Sequence, residues 1–525
     1  MPIGKNKALR HYLTLALPTG SRREAGFVVS LALASGAIAV AITLTTLQGI
    51  PHVSDEISYN FQARIFASGR LWLDPPPLPD LFRQQNVILD AGRWCSKYPP
   101  GWPLLLTSGW LAGIPWAVAP LLLALSVVGV WQLGRVLFDK RTGMLSAAAL
   151  AASPFALLMG ASSMAHIPSL CSSVWCLVAL CETAERPRLR TAVIAGLLGG
   201  MAFLIRPYTA VTLLSPAAVW CLWRAQSKRS TSVRPWDIPV GLGLGFLPFL
   251  LLFLAYNWLV FGGPLVTGYS IYGREGAAGL PVGPSSKLLW YFVAMNHSLW
   301  GWPWPNLIVL LPLVWPRPRQ GREAMLIACA AGIVVGHSFY YYFDVVYGGP
   351  RLVFEVLGPL SVCTARALLA LRGAISHLLD AMPGLSARAN KSSMLVISAA
   401  AGLLLLAFPL AGRLPHELER HGQWYHGQST IPLQEAAQAG LGNDALVFVA
   451  GPPWVFGSFF LKNALDPLDG QRVFVRDLPG AYGQVVARIH RRETWRVIVD
   501  LEPLPGPNAY ADTFHARRVV WARLQ

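Results

Sequence analysis

The stretch Thr142–Cys181, TGMLSAAALAASPFALLMGASSMAHIPSLCSSVWCLVALC, decides the class of fold. It contains no aspartate, glutamate, lysine or arginine. A helix needs roughly 20 apolar residues to cross a bilayer, so this run is too long for one span and must turn back on itself. The turn is predicted near His166-Ile167-Pro168, because proline is well tolerated only in the first turn of a helix.

Apolar runs of this kind recur along the chain of 525 residues, which is 54% hydrophobic and only 13% charged. Soluble domains carry about 25% charged residues. We therefore predict a mainly α-helical, polytopic membrane bundle of about eleven spans. The predicted spans cover residues 27–49, 116–136, 142–160, 167–183, 191–206, 208–223, 237–261, 301–316, 323–343, 352–372 and 393–411. Arg206, next to Pro207, is expected at the tip of a hairpin between two of them.

The positions of lysine and arginine predict the orientation of the bundle. With the N-terminus in the cytoplasm, the cytoplasmic segments hold 22 lysine and arginine residues, whereas the short outer turns 161–166 and 344–351 hold none and one. This asymmetry is the usual orientation signal. The cytoplasmic segments are then 1–26, 135–141, 182–190, 224–235, 317–322 and 366–391. An odd number of spans leaves the C-terminus outside. The net charge of +17 is therefore explained without a nucleic-acid partner, and we expect a multi-pass protein of the plasma or inner membrane.

Three regions follow from this pattern. Residues 1–26 are a cytoplasmic N-terminal segment, 27–411 a transmembrane domain with a long outer loop at 50–100, and 412–525 an extracytoplasmic region. The last region has alternating apolar patterns at 445–449, 496–499 and 519–521, separated by glycine- and proline-rich turns. Such a pattern is typical of a small α/β domain.

Several classes of chemistry find no support. Six of the seven cysteines lie in or beside apolar runs and only Cys95 lies in a polar loop, so no disulfide framework is predicted. We find no phosphate-binding glycine loop, no dinucleotide fingerprint and no His/Cys cluster with metal-ligand spacing.

The segment Pro51–Arg64, PHVSDEISYNFQAR, directly follows the first span and is the most informative polar motif. Ser54 is predicted to cap a helix whose first turn holds Asp55 and Glu56, where the helix dipole favours carboxylates. Helical spacing puts Tyr59 and Gln62 on the side of Asp55, and turns Glu56 another way. An acidic helix start without further function is the alternative.

A second motif, Arg93–Pro103, RWCSKYPPGWP, ends the same outer loop. Lys97 beside Tyr98 suits a phosphate headgroup at the membrane surface. An interfacial anchor is the alternative. Other polar residues fall at outer ends of the predicted spans and suggest one outward cavity, although each alone could be a contact between helices. They are His166, Arg206, Tyr208, His297, Arg351 and Glu355.

In their order along the chain, these motifs resemble the GT-C membrane glycosyltransferases. A basic N-terminus and one span precede an Asp-Glu-x-x-Tyr segment, and Lys97-Tyr98-Pro99-Pro100-Gly101 closes the outer loop. The turn Gly134–Gly143 is similar to theirs as well. The relatives implied are polyprenyl-phosphate-sugar enzymes related to protein O-mannosyltransferases and aminoarabinose transferases. The tyrosine between Lys97 and the proline pair, and the α/β tail, depart from the mannosyltransferase pattern.

The resemblance implies an inverting transfer of a sugar from a polyprenyl-phosphate donor to a glycan, lipid or protein acceptor on the outer face. Asp55 matches the catalytic acidic position and would be the general base, with Glu56 as the second catalytic candidate. The candidate substrate-binding residues are Tyr59, Gln62, Lys97, Tyr98, His166, Arg206, Tyr208, His297, Arg351 and Glu355. Lys97, Arg206 and Arg351 are expected at the donor phosphate, unless Arg351 pairs with Glu355 one turn later.

Other interpretations stay open. A divalent cation at Asp55 and Glu56 would suit oxygen ligands. The rival function is a transporter or a flippase of lipid-linked sugars, although such proteins typically have matched repeats and a site near the membrane midplane. A non-catalytic scaffold is a third class. For the tail 412–525 we expect a non-catalytic cap that helps to select the acceptor, and the alternative is a domain that serves only stability.

Overall fold

The computed structural model describes residues 22–89, 92–228, 234–273, 284–307, 310, 321–340, 344–380, 407–422, 424–503 and 514–524. In the first half of the chain the α-helices are α1 (Arg22–Leu44), α2 (Ser54–Ala67), α3 (Gly101–Leu111), α4 (Val118–Leu137), α5 (Lys140–Ala151), α6 (Pro154–Ala161), α7 (His166–Glu185), α8 (Leu189–Ile205), α9 (Pro207–Ser227) and α10 (Asp237–Phe261). They continue with α11 (Gly268–Tyr272), α12 (Pro284–Ser298), α13 (Arg322–Ser338), α14 (Leu357–Asp380), α15 (Leu414–His421), α16 (Ile431–Gln438), α17 (Phe456–Phe460) and α18 (Tyr482–Arg488). The strands are β1 (Val87–Ile88), β2 (Cys95–Ser96), β3 (Ala445–Ala450), β4 (Arg472–Arg476), β5 (Glu493–Pro503) and β6 (Phe514–Arg523).

Within those residues, five helices are long and apolar enough to cross a membrane, and the bent pair of α5 and α6 makes a sixth if it is one span. The five cover Arg23–Leu44, Pro115–Leu137, His166–Glu185, Asp237–Phe261 and Arg351–Ala374. The multi-pass character is thus confirmed, and the count of about eleven stays a prediction. Half of the predicted span 301–316 lies outside the described residues, as do most of the predicted span 393–411 and most of the segment 1–26.

The charge-free stretch turns where its sequence predicts, and it also breaks at a second point. Helix α6 ends at Ala161 and α7 begins at His166. Between α5 and α6 the axis bends by 61°, because Pro154 cannot continue a helix and Ser153 caps the new one through the amide of Ala156. Further along, α8 ends at Ile205 and α9 begins at Pro207, which leaves Arg206 at the tip of the predicted hairpin.

The outer loop after α1 is tied to helix α2 by short polar side chains. The Ser58 hydroxyl lies 2.7 Å from the Ser96 hydroxyl and donates to the carbonyl of Asn86 at 2.6 Å. Gln62 accepts from the backbone amide of Ser96 and donates to the carbonyl of Leu71, both at 2.8 Å. These hydrogen bonds fix the position of the outer loop relative to α2.

The end of the chain forms a four-stranded sheet in the order β4-β3-β5-β6. Strand β3 is parallel to β4 and β5, and β6 runs antiparallel to β5. Strands β3, β5 and β6 cover the three predicted strand patterns. Strand β4 was not predicted, because its apolar core Val473-Phe474-Val475 is short and carries arginine on both sides.

The sheet and the outer loop share one hydrophobic core. The ring of Phe61 on α2 lies 4.8 Å from that of Trp94 and 5.1 Å from that of Phe460, between ring centroids. A β-carbon at Gly457 would clash with the terminal methyl of Ile57 and lie 2.8 Å from the side-chain oxygen of Gln428, so any larger residue there would have to displace both side chains. Each large apolar side chain buried here contributes roughly 1.5–3 kcal/mol, so this shared core stabilises the packing of the tail on α2 and the outer loop.

Candidate active site

Helix α2 places Asp55 and Glu56 in its first turn, directly after the first span. The expectation that Ser54 caps this helix is wrong, because Val53 occupies the N-cap position and Ser54 is the first helical residue. The Ser54 hydroxyl instead accepts a hydrogen bond from the side-chain amide of Asn86 at 2.9 Å. The outer loop thus holds the Ser54 hydroxyl, and the N-cap backbone amide of Val53 donates to the Glu56 carboxylate at 3.4 Å.

Asp55 is the centre of a compact group of ionic and hydrogen-bonding side chains. The Tyr98 hydroxyl donates to Asp55 Oδ1 at 2.5 Å, and Arg351 lies 3.2 Å from Asp55 Oδ2. Asp344 holds the same guanidinium from the other side at 2.8 Å. Burial alone would raise the pKa of Asp55, but Arg351, Tyr98 and Lys97 together hold it below its ordinary value. Asp55 is therefore ionised at neutral pH.

Glu56 points away from Asp55 and joins three segments of the chain. It accepts from the Tyr347 hydroxyl at 2.5 Å and from the backbone amide of Ser163 at 2.9 Å. Its side chain is buried, and burial raises its pKa to about 7 although these hydrogen bonds oppose the shift. The two carboxylates thus have separate environments, as their helical offset predicts.

Lys97 lies inside a group of tyrosine rings. Its ammonium is 4.3 Å from the centroid of Tyr272, 5.2 Å from that of Tyr98 and 5.6 Å from that of Tyr269. A cation at these distances is attracted to the ring faces. Burial lowers the pKa of Lys97 to about 8, with Arg351 adding to the shift and Asp55 opposing it.

Tyr59 and Gln62 contribute in different ways. The ring of Tyr59 packs on that of Tyr98 at 4.5 Å and joins a small apolar cluster with Ala165 and Ile205. Those two residues are the neighbours of His166 and Arg206, so Tyr59 connects the Asp55 group to both. Both polar atoms of the Gln62 side-chain amide are hydrogen-bonded to the backbone of the outer loop, so Gln62 helps to hold that loop in place.

Arg206 forms its ion pair with Glu355, at 2.7 Å, and Glu355 is fully buried. The alternative pairing of Arg351 with Glu355 is therefore wrong: Arg351 faces Asp55 and Asp344 instead. His166 is buried at the start of α7, and neither of its ring nitrogens has a hydrogen-bond partner within the described ranges. Unpaired polar groups are rare in protein interiors, so His166 stays a candidate for contact with a substrate.

The remaining two candidates lie further out. Tyr208 is 45% exposed and donates its hydroxyl to the carbonyl of Gly336, so it ties α9 to α13. His297 is an exposed residue near the end of α12. The structure thus groups nine of the predicted residues and leaves Tyr208 and His297 at the edge, while Gln62 holds the outer loop. The nine are Asp55, Glu56, Tyr59, Lys97, Tyr98, His166, Arg206, Arg351 and Glu355.

Two polar residues of the group were not among the predicted site residues. Asp344 holds Arg351, and Tyr347 donates to Glu56. Tyr347 has φ +55°, a left-handed backbone conformation that is uncommon outside glycine, and the following Gly348-Gly349 is the sequence signal for such a turn. Among the described residues, no set of three or more His, Cys, Asp or Glu side chains could hold a metal ion. A cation at Asp55 and Glu56 stays a prediction.

Comparison with known proteins identifies the fold of the chain. Residues 110–254 match the family model described as dolichyl-phosphate-mannose-protein mannosyltransferase. No curated protein sequence gives a significant match. ArnT from Cupriavidus metallidurans in the apo state is 15% identical, with a TM-score of 0.56 over 95% of this chain and 98% of that chain.

Two further solved structures are similar. The same ArnT bound to undecaprenyl phosphate gives 15% identity and a TM-score of 0.54 over 96% of this chain and 98% of that chain. The archaeal oligosaccharyltransferase AglB from Archaeoglobus fulgidus, in complex with an inhibitory peptide and a dolichol-phosphate, is 13% identical with a TM-score of 0.45, over 91% and 69% of the two chains. The resemblance inferred from the motifs is confirmed: the chain has the GT-C fold of membrane glycosyltransferases.

Proposed function

We propose that this protein transfers a sugar from a polyprenyl-phosphate donor to a hydroxyl-bearing acceptor at the outer face of the membrane. The observation that carries the proposal is the ionised Asp55, oriented by Tyr98 and Arg351 within a group that also holds Lys97 and Arg206. One carboxylate beside several cations suits a reaction in which a hydroxyl loses a proton while a phosphate leaves.

Asp55 would act as the general base. The acceptor oxygen attacks the anomeric carbon of the donor sugar, its proton passes to a carboxylate oxygen of Asp55, and the bond from the anomeric carbon to the phosphate oxygen breaks. The polyprenyl phosphate leaves with the electron pair of that bond. A single displacement of this kind inverts the anomeric configuration.

The low pKa of Asp55 in the free protein needs an explanation, since a carboxylate with a lowered pKa is a weak base. The cations that lower this pKa, Arg351 and Lys97, are also the ones suited to bind the donor phosphate. A phosphate anion placed on them would offset their charge and raise the pKa of Asp55. The base would therefore gain strength only when the donor is bound.

The phosphate-binding role is assigned to Lys97, Arg206 and Arg351. Developing negative charge on the leaving phosphate is stabilised best by cations already fixed in place. Arg206 and Arg351 are held by Glu355 and Asp344, and Lys97 by its tyrosine rings. Lipid delivery of the donor also explains why no nucleotide-binding motif is needed.

Turnover by the purified protein in lipid nanodiscs tests the proposal. Donors with a labelled sugar on undecaprenyl phosphate are offered with alkyl glycosides, a Ser/Thr peptide and a hydroxylated lipid as acceptors. We expect transfer to one acceptor class, with inversion at the anomeric carbon by NMR. Movement of intact donor across proteoliposomes, without any transfer, would contradict the proposal and favour the transporter or flippase.

A further inference from the structure

One short loop of the tail, Trp424–Gln428, contacts segments that belong to the Asp55 group. The carbonyl of Tyr425 lies 3.0 Å from His52 Nδ1, just before α2, and the Tyr425 hydroxyl accepts from the backbone amide of Tyr347 at 3.1 Å. Tyr347 in turn donates to Glu56. The loop is therefore anchored on both segments that flank Asp55, namely the start of α2 and the turn before Arg351.

Three residues of this loop, His426 among them, have a left-handed backbone conformation. Trp424 and His426 have φ of +62° and +48°, and Gly427 follows with +70°. Left-handed conformations at non-glycine residues are unfavourable and persist only where the surroundings enforce them. A β-carbon at Gly427 would also press on Trp454. The loop thus holds His426 in a position that an ordinary turn would not give it.

The imidazole of His426 has an unused hydrogen-bonding atom. Its Nε2 is buried and has no hydrogen-bond partner in the part of the chain that the structure describes. The ring packs edge-on against Tyr425, with centroids 4.5 Å apart. Unpaired buried polar atoms are rare because they lose their hydration without compensation. Such an atom, on a loop that is anchored to His52 and to Tyr347, points to a ligand.

The charges around His426 define the chemistry that it can offer. Burial lowers the pKa of His426 to about 3; Arg351 and His52 add to the shift, and Asp55 opposes it. The imidazole is therefore neutral at physiological pH and close enough to Arg351 and Asp55 to feel their charge. A neutral imidazole suits an uncharged hydroxyl group better than a phosphate, which the neighbouring cations would bind.

We infer that His426 binds the acceptor through Nε2, as a specificity-determining residue on the tail loop that is anchored to the start of α2 and to the turn before Arg351. This inference rests on the proposed transfer function and names its acceptor side. The donor is delivered from the membrane, whereas His426 comes from the sheet-bearing tail, so the two substrates would reach Asp55 from different directions. The ligand class is a neutral, hydroxyl-bearing acceptor such as a glycan or a glycoside.

Three substitutions separate this role from a structural one. His426→Ala removes the imidazole, His426→Gln keeps a hydrogen-bonding group near the position of Nε2, and His426→Asn suits the left-handed backbone but is too short to reach it. His416→Ala is the matched control, because His416 is an exposed histidine of the same tail. Point substitutions are preferable to truncation, which would expose the core that the tail shares with α2.

The first readout is binding of a short alkyl glucoside to the full-length protein in nanodiscs by calorimetry, which needs no turnover. We expect His426→Ala to weaken binding about tenfold, as for the loss of one buried hydrogen bond, with His426→Gln restoring it and His426→Asn not. Equal binding by wild type and His426→Ala, including none by either, overturns the inference. Restoration by His426→Asn alone would assign the histidine to the turn and overturn it equally.

The second readout is steady-state transfer with undecaprenyl-phosphate sugar as donor. The inference predicts a higher KM for the glucoside in His426→Ala, with the donor KM and the rate of donor hydrolysis unchanged. An equal loss for donor and acceptor contradicts it. If wild type transfers nothing while His426→Ala still loses glucoside binding, the proposed function fails and the binding role of His426 stands.

Discussion

The titration of Lys97 gives a prediction whose size follows from its surroundings. Burial among Tyr98, Tyr269 and Tyr272 lowers the pKa of this ammonium to about 8. Below that pH the side chain is charged and able to bind the donor phosphate, and above it the side chain becomes neutral. The phosphodiester of the donor does not titrate in this range, so Lys97 governs the alkaline side of donor use.

The magnitude can be worked out directly. With a pKa of about 8, about 90% of Lys97 is charged at pH 7 and about 10% at pH 9, so kcat/KM for the donor should fall about tenfold between them. Lys97→Gln removes a charge-assisted hydrogen bond worth about 1.5–3 kcal/mol, or about 10- to 150-fold in kcat/KM at pH 7. Lys97→Arg keeps a charge at every accessible pH and should retain donor use at pH 9.

The assay is donor kcat/KM from pH 6 to 10 for wild type, Lys97→Arg and Lys97→Gln. Lys462→Gln is the matched control, since Lys462 is an exposed lysine of the tail. The ratio of wild type to Lys97→Arg cancels other titrations, including that of Glu56. An alkaline decline that persists unchanged in Lys97→Arg, or a pH-independent wild type, would refute the assignment of Lys97 to the donor phosphate.

Three further predictions concern the partners of Asp55 and the tail. Tyr98→Phe removes the hydroxyl that orients Asp55, a bond to a charged group worth about 1.5–3 kcal/mol, and should lower kcat/KM about 10- to 150-fold at pH 7, whereas Tyr256→Phe, a buried tyrosine elsewhere, should not. Burial raises the pKa of Glu56 to about 7 in the folded protein, so the contribution of its protonated form to the free energy of unfolding is complete below pH 4.5. This contribution falls by about 3 kcal/mol as the pH rises to about 7. Glu56→Gln should abolish this part of the pH dependence of Tm. Arg64 donates at 2.8 Å to the carbonyls of Leu461 and Asn463, and Arg64→Met should make the tail more sensitive to limited proteolysis with little change in the other loops.

Local patterns in the sequence predicted the parts of the fold that depend on local physics. The charge-free run before Cys181, the hairpin tip at Arg206 and the acidic first turn at Asp55 all follow from hydropathy and helix rules. Strand β4 was not predicted, because it contains only three consecutive apolar residues. The break at Pro154 was not predicted either, because the surrounding sequence is apolar enough for one continuous span.

The pairing of the site residues was harder to predict from the sequence, because the ion pairs join residues that are far apart in the chain. Arg351 has Glu355 one turn away, yet it pairs with Asp344 and with Asp55, nearly 300 positions earlier. Tyr347 reaches Glu56 across 291 positions. Nothing in the local pattern distinguishes His426 from other tail histidines. Its left-handed backbone and unused Nε2 emerge only when the tail packs against the outer loop.

The most direct measurement is transfer by Asp55→Asn in nanodiscs, with undecaprenyl-phosphate sugar and the acceptor that wild type uses. Asparagine keeps the shape of the side chain and an oxygen for the Tyr98 hydroxyl, but it cannot take the acceptor proton. Asp80→Asn, on an exposed position of the same outer loop, is the control. The account predicts that Asp55→Asn binds the donor and folds as wild type does, while kcat falls about 10²- to 10⁴-fold. Full transfer by Asp55→Asn would contradict it.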